Sequence, residues 1–579
     1  MIMIFYDFEV FSRDWLVVCI DMAARAETVI VNDPGRLKIF HEEHNNDIWV
    51  GFNSREYDSY ILQAILLGFD PKEVSDWIIV QRRRGWEYSS LFRKIRHYDY
   101  DVMQGIDRGL KFFEGSMGAD IRETSVPFDI DRKLTPAEIA ETIRYCRHDV
   151  EQTIEVFLRR KADFDAQMGL IKMFSLPLAD ISRTKAQLSA KILEASRRSY
   201  DDEFDIDLPP TMRIERYREV PAWFADPANH KYTLDPDNPA SHKMKLDVTI
   251  AGVPHTFAWG GVHGAIPRYF ADGYFINMDV ASLYPSLMIR YSLHSRSCNP
   301  AKFNEIVQTR LKCKHEHNPM QAPLKIVING TYGAMKDKHN PLYDPRQANR
   351  VCVYGQLLIL DLIERLEEAD ARIIQSNTDG VLVRMPDEYH GGPDAFYARM
   401  DDVAHEWETR TGLTLEFDEY TRVVQGDVNN YLIVTPDGHW KSKGAHLKKL
   451  GDLDYDLPIV NHALAAYLVD GTPPERTIMA CDDLREFQQI VRASGKYREL
   501  QHGGRSLGER TARVFASLDP ADGGMSKIHA TTGRAAKCAS TPEHCFIINE
   551  DVRGQHVPGK LDRQWYIDLV RQRARKFGG

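Results

Sequence analysis

The stretch Asp279-Val280-Ala281-Ser282-Leu283-Tyr284-Pro285-Ser286 decides how this chain is read. The segment before it, 274–279, is apolar and strand-like, so Asp279 is expected where a strand ends and the chain turns. Val280 follows and offers a backbone carbonyl beside that carboxylate. Well downstream, Ile373 and Ile374 enter a hairpin and Val381, Leu382 and Val383 leave it, with Asn377-Thr378-Asp379-Gly380 in the turn. Asp-Gly alone is a common hairpin turn. Its pairing with the Asp279 run gives it weight, because two carboxylates so placed can meet and hold a pair of divalent cations. Such pairs stabilise the attacking and leaving oxygens of phosphoryl transfer.

Between these two stretches lies Lys325-x-x-x-Asn329-x-x-Tyr332-Gly333, a helical pattern with Pro323 near its start. Lys325, Asn329 and Tyr332 fall at i, i+4 and i+7 and share one face. The lysine suits a triphosphate and the tyrosine ring suits a base. Gly330 and Gly333 each weaken a helix by ~1 kcal/mol relative to alanine, which fits a helix that something must approach closely. Upstream, Arg310 and Lys314 form an i, i+4 pair of cations suited to the same phosphates.

A second acidic set lies near the N-terminus. Asp7 and Glu9 are two apart in a run of Ile, Phe and Val, so both carboxylates point to one face of a strand. Like charges so placed call for cations. Asn53-Ser-Arg-Glu-Tyr-Asp58 opens a helical stretch and offers another acid. The clearest helix is 135–161: Thr135 as N-cap, Pro136 at the first position and Glu138 completing a capping box. Tyr145 and Asp149 share a face of it. Three acids on separate elements, with a tyrosine to orient water, make a two-metal nuclease site.

Bulk properties set the outer bounds. At 579 residues, three or four domains are expected. The net charge of −10 argues against simple non-specific nucleic-acid binding, yet residues 501–579 hold 13 Lys and Arg against 8 Asp and Glu. A basic segment on an acidic body suits local phosphate gripping with carboxylates gathered around metals. The eight cysteines include no Cys-x-x-Cys pair, which with a strand-like N-terminus points to a reducing cytoplasm. No apolar run reaches the ~20 residues of a membrane helix. Cys313-Lys-His315-Glu-His317 lacks zinc-finger spacing, Arg82–Arg84 reads as a solvated loop, and the absence of a Gly-x-x-x-x-Gly-Lys loop argues against an ATP-driven helicase. The stretches 201–210 and 235–239 read as acidic, proline-containing loops.

Taken in order, the Asp279 run, the Lys325 helix and the Thr378-Asp379 hairpin resemble the three polymerase motifs of the family B DNA polymerases, in the compact form found in bacteriophages. The resemblance implies an α+β multidomain fold, with an RNase-H-like exonuclease domain followed by palm, fingers and thumb. It implies that Asp279, Val280 and Asp379 hold metals, and that Val280, Ser282, Leu283 and Tyr284 line the nucleotide, with the Tyr284 ring excluding a 2′-hydroxyl. Arg310, Lys314 and Lys325 would contact the triphosphate, and Asn329 and Tyr332 the nascent pair. Trp259-Gly260-Gly261 is similar to the template-binding element with its aromatic displaced by one, and Asn429-Asn430-Tyr431 to the primer-gripping element without its lysine. Lys441 and Lys443 are expected to supply that charge. The set Asp7-Phe-Glu9, Asn53 to Asp58 and Tyr145-x-x-x-Asp149 resembles the proofreading 3′–5′ exonuclease motifs. Asp7, Glu9 and Asp149 would be metal ligands and Asn53 a DNA contact. Asn377 and Gly380 depart from the family's Asp-Thr-Asp-Ser.

The implied partition is an exonuclease domain 1–165, a connecting region with the first part of the palm 166–300, fingers 301–345, palm 346–450 and thumb 451–579. Two magnesium ions per active site are implied, with manganese able to substitute. Primed template DNA and deoxynucleotides would be the substrates of a monomer working in the cytoplasm, beside replisome proteins. Alternatives are a nuclease with a decayed polymerase site, a protein-primed polymerase and a non-catalytic replisome component. Only 45 residues separate Asp279 from Lys325, which disfavours the long insertion of protein-primed enzymes.

Overall fold

The computed structural model describes residues 2–105, 107–238 and 240–578. Met1 of the expected first strand, Ile106, Pro239 of the expected acidic loop and Gly579 lie outside the described residues. Strands and helices are segregated along the chain in the α+β manner. Two compact units are present, each assembled from separated stretches.

The first unit comprises Met1–Thr184, Leu450–Ile459 and Cys481–Tyr566. Its main sheet has five strands: β1 (Met3–Val10), β2 (Trp15–Asp21), β3 (Ala26–Val31), β4 (Ile48–Gly51) and β5 (Tyr98–Asp101). Their order is β3-β2-β1-β4-β5, with the first three antiparallel and β4 and β5 parallel to β1. This is the RNase-H-like arrangement expected for the N-terminal part. Strand alternation divides β1 between two cores. Ile4, Tyr6 and Phe8 pack with Ile61 and Leu62 of the helix Asp58–Leu67. Phe5 packs with Cys146, Val150 and Phe157 of the helix Pro136–Arg159. Asp7 and Glu9 therefore face that second helix. Its start is the capping box expected from sequence, Thr135 and Glu138 each satisfying the other's backbone amide.

Residues 451–579, expected as one thumb, are divided. Cys481–Tyr566 belongs to the first unit and builds a three-stranded sheet of Gln489–Arg492, Thr511–Ala516 and Cys545–Ile547 beside a four-stranded one. Val460–Ala480 and Ile567–Gly579 belong to the second unit.

The second unit also contains Lys185–Lys449. Its nine antiparallel strands are β6 (Lys245–Ile250), β7 (Val253–Ala258), β8 (Gly261–Ala265), β9 (Tyr269–Val280), β10 (Arg372–Ser376), β11 (Gly380–Arg384), β12 (Leu415–Asp427), β13 (Asn430–Val434) and β14 (Trp440–Lys443). The order β14-β13-β12-β9-β11-β10-β8-β7-β6 puts the strand ending in Asp279 between the hairpin strand β11 and the long β12. The helix Pro345–Glu368 is buried along nearly its whole length. Its buried Asp361 is paired with Arg410 at 2.7 and 2.9 Å and also accepts from the Arg213 amide, so the charge is compensated. The helices Pro300–His315 and Gln321–Lys336 lie between β9 and that helix in the chain. Among the described residues no helix is long and apolar enough to cross a membrane.

Candidate functional site

Register sets the first site. Asp279 is paired across the sheet with Gly380 on one side and Glu416 on the other. The turn preceding Gly380 carries Asp379, whose carbonyl accepts from the Val280 amide at 2.7 Å. A side chain at 380 would collide with the Asp279 carboxylate: a Cβ there would lie 1.8 Å from its Oδ1. Glycine is required here for space, since no positive φ is involved. Asn377 explains its own departure from an acid. Its Oδ1 accepts from the Asp379 amide at 3.1 Å and so shapes the turn, a task that needs an oxygen and no charge.

Burial, then the neighbouring Asp379, push the Asp279 carboxyl up to about 6, against a 2.8 Å hydrogen bond from the Asn277 side-chain amide; Asp418 and Glu416 push it further up. Asp279 and Asp418 border a cavity of about 180 Å³ lined also by Asn277, Asn377, Tyr431 and Lys441 among others. Lys441 ion-pairs with Asp418 at 2.9 Å, and Tyr431, whose hydroxyl is raised by burial and by Asp279 and Asp379, faces the same space. Lys443 is the register partner of Tyr431.

The expected nucleotide residues surround the end of β9. Ser282 takes a left-handed backbone conformation that starts the helix Leu283–Arg290, in which Leu283 is buried. The half-buried Tyr284 ring packs on Tyr332 at 4.2 Å between centroids. Lys314 reaches Glu416 at 3.8 Å, and the buried Nε of Arg310 has no hydrogen-bond partner. Lys325 and Asn329 are exposed on the helix Gln321–Lys336. Its two glycines differ. A Cβ on Gly330 would lie 2.9 Å from Ser189 Oγ, whereas Gly333 faces open space. Gly261 sits against the Asp379 turn, where a Cβ would be 3.2 Å from Thr378 Oγ1; Gly260 is open. Trp259 is an anchor buried among Phe204, Trp223, Phe224 and His230.

The second site gathers acids from three elements. Asp7, Glu9 and Cys146 place ligand atoms within 4.8 Å of one another, and the Cys146 thiol donates to the Asp7 carbonyl at 3.3 Å. Asp58, at the start of its helix, accepts from the Phe8 amide at 3.1 Å. Burial holds the Asp7 carboxyl well above the usual range, reinforced by Asp58, Glu9 and Asp149. Glu9 is raised likewise by burial, then Asp149 and Asp58. Asp58 is pushed up to about 8 by burial, with Asp99 and Asp101 adding to it against the Phe8 bond. The Tyr145 hydroxyl is raised by burial and by Asp149, Glu9 and Asp7, so it faces the same cluster. Exposed Asn53 adopts positive φ and donates its amide to Asp101 at 2.9 Å.

Sequence reasoning missed several members. Lys111 ion-pairs with Asp149 at 2.8 Å and with the fully buried Glu114 at 3.0 Å, and its ammonium lies 4.7 Å from the Tyr145 ring centre. Burial works against its charge, but those carboxylates hold it on. A lone lysine in a helical stretch gave no signal. Glu416 and Asp418 repeat the two-apart acidic spacing of Asp7 and Glu9, and that spacing was a readable cue. Both sites present hard oxygen donors, with Asp279, Asp7, Glu9 and Asp58 raised by burial first and by neighbouring carboxylates, a donor set that fits magnesium or manganese.

No family model matches the chain. It is 24% identical over 205 residues to DNA polymerase 1 of Sulfurisphaera ohwakuensis, covering 35% of this chain and 22% of that protein. DNA polymerase 1 of Saccharolobus solfataricus is 23% identical over 205 residues, covering 35% and 21%. The chain thus spans about a fifth of the length of the curated relatives it matches. The solved family B DNA polymerase from Pyrobaculum calidifontis aligns with all of this chain and 78% of that one, at 14% identity and a TM-score of 0.41.

Two outcomes are expected from this geometry. Gly380→Ala displaces the Asp279 carboxylate and should weaken divalent-cation binding in the second unit roughly 10- to 100-fold by calorimetry, with little change in melting temperature. Unaltered affinity would contradict the packing. The raised carboxyls of the first unit bind protons more tightly folded than unfolded. Their stabilisation is therefore complete below about pH 4 and is lost as pH rises towards about 8. In chelator, thermal melts should show stability falling across that window, and manganese should restore more of it at the alkaline end. A flat profile in wild type, or one unaltered by Asp58→Asn, would count against the cluster.

Proposed function

We propose that this chain is a template-directed DNA polymerase of family B, of the compact type found in bacteriophages, with a 3′–5′ proofreading exonuclease. The observation that carries the reading is that the hairpin turn bearing Asp379, distant in sequence, is bonded to the end of the Asp279 strand, close enough for the Asp379 charge to act on the Asp279 carboxyl. Similarity to archaeal DNA polymerase 1 proteins supports it. Residues 1–165 are assigned as the exonuclease domain, 166–300 as the connecting region and first palm segment, 301–345 as fingers and 346–450 as palm, whereas 451–579 is shared between the two compact units and is not assigned as one thumb.

Asp279, Asp379 and the Val280 carbonyl are assigned to hold two divalent cations, and Asp7, Glu9, Asp58 and Asp149 to hold those of the nuclease. Bound cations would supply charge neutralisation and a more acidic hydroxyl or water. The chain's own part is positioning, which dominates phosphoryl transfer. Arg310, Lys314 and Lys325 orient the triphosphate. Tyr284, held against Tyr332, closes the space beside the sugar so that a 2′-hydroxyl is excluded. Asn329 and the open face at Gly333 border the nascent pair, Gly260 and Gly261 the template, and Tyr431, Lys441 and Lys443 the primer. In the nuclease, Tyr145 orients the attacking water and Asn53 holds the frayed end. Primed DNA and deoxynucleotides are the substrates.

The test is primer extension with a labelled 5′ end, which reports elongation and degradation together. Asp279→Asn should abolish synthesis, by at least about a thousandfold, and spare excision. Asp7→Ala with Glu9→Ala should do the reverse. Equal loss of both activities in each variant would refute two separate sites.

A further inference from the structure

The helix Leu110–Met117 carries Lys111 in its first turn, so its placement decides where that ammonium meets Asp149. At eight residues it is too short to be stable alone, and the last carbonyls of any helix need outside partners. Here a part of the chain far away in sequence, within the same compact unit, supplies them. Arg513 donates to the carbonyls of Gly115 and Ala119 at 3.3 and 2.6 Å. Ser116 O accepts from Arg485 at 3.0 Å and from the Gln488 side-chain amide at 3.1 Å. Gly118 O accepts from the Val552 amide at 2.9 Å. Side-chain packing leaves no slack, since a Cβ on Gly115 would lie 2.9 Å from Ile490 Cδ1.

Arg513 itself is fully buried. Its other hydrogen bonds go to the carbonyls of Glu550 at 2.6 Å and Ile548 at 3.3 Å, so the guanidinium bonds only to carbonyls and to no carboxylate. Burial works against its charge, while Asp551 and Asp120 favour it without a hydrogen bond to it among the described residues. Two of its four acceptors lie at the end of the Lys111 helix.

We propose that Arg513, with Arg485 and Gln488, is a positioning group for the nuclease: it fixes the end of the Leu110–Met117 helix so that Lys111 holds Asp149 towards Glu9. The catalytic cluster of the N-terminal sheet is thereby completed by residues 481–566. The inference rests on the nuclease reading above. A slip of about 1 Å along the helix axis is enough to lose a catalytic contact, and these long-range bonds add to the packing of Phe112, Phe113 and Met117 in resisting one.

The test uses the full-length protein with Arg513→Lys, Arg513→Met and the gentler pair Arg485→Met with Gln488→Leu, the last covering the case in which the Arg513 variants fail to fold. Single-turnover excision of single-stranded DNA should slow roughly tenfold or more at saturating substrate, with KM nearly constant and nucleotide incorporation unchanged. Arg513→Lys should retain more activity than Arg513→Met. Adding Lys111→Met to the gentler pair should cost less than Lys111→Met costs wild type, because both act through one contact. Unchanged excision, or full additivity with Lys111→Met, overturns the inference. If wild type excises nothing, the nuclease reading falls instead. Manganese affinity in the same variants then decides the positioning: a tenfold weakening cancelled by Lys111→Met supports it, and equal affinities overturn it.

Discussion

Repulsion between carboxylates held close together is the constraint on which both sites depend. Two unit charges 4 Å apart interact by about 4 kcal/mol at the effective dielectric near a protein surface, comparable to much of a domain's net stability. Asp279 faces Asp379, Glu416 and Asp418, and Asp7 faces Asp58, Glu9 and Asp149. The folds that hold these groups together are ordinary sheets and helices, so the repulsion is relieved by protons or by cations. Relief by cations makes each cluster a place where phosphate oxygens are attracted and polarised.

Each cluster also has a built-in counter-charge that leaves room for more. Lys441 neutralises Asp418 and Asn277 bonds Asp279, while Lys111 neutralises Asp149 and Glu114. Neither lysine touches Asp7 or Asp379. The compensation is thus partial.

Much of this was readable from residues because the signals are local. A strand with acids two apart, a capping box at Thr135 and a hairpin around Asn377–Gly380 are each written within a dozen residues. The alternation in β1 placed Asp7 and Glu9 on one face, and the helix period placed Tyr145 and Asp149 there too. What stayed hidden depends on contacts made at long range. Lys111 meets Asp149 across 38 residues, Arg513 meets the end of the Leu110–Met117 helix across almost four hundred, and 451–579 is divided between two units. Glu416 and Asp418 are an intermediate case: their spacing was visible, but their partnership with Asp279 required the register of β12 on β9. The burial of the Trp259 ring as an internal anchor was likewise hidden, because its aromatic neighbours come from elsewhere in the chain.

The central claim, that distant acids converge into two cation-trapping clusters, is tested most directly by manganese binding followed by electron paramagnetic resonance. The account predicts two independent classes of site, one lost in Asp279→Asn and the other in Asp7→Ala with Glu9→Ala. Wild-type stoichiometry that survives both substitutions unchanged would contradict it.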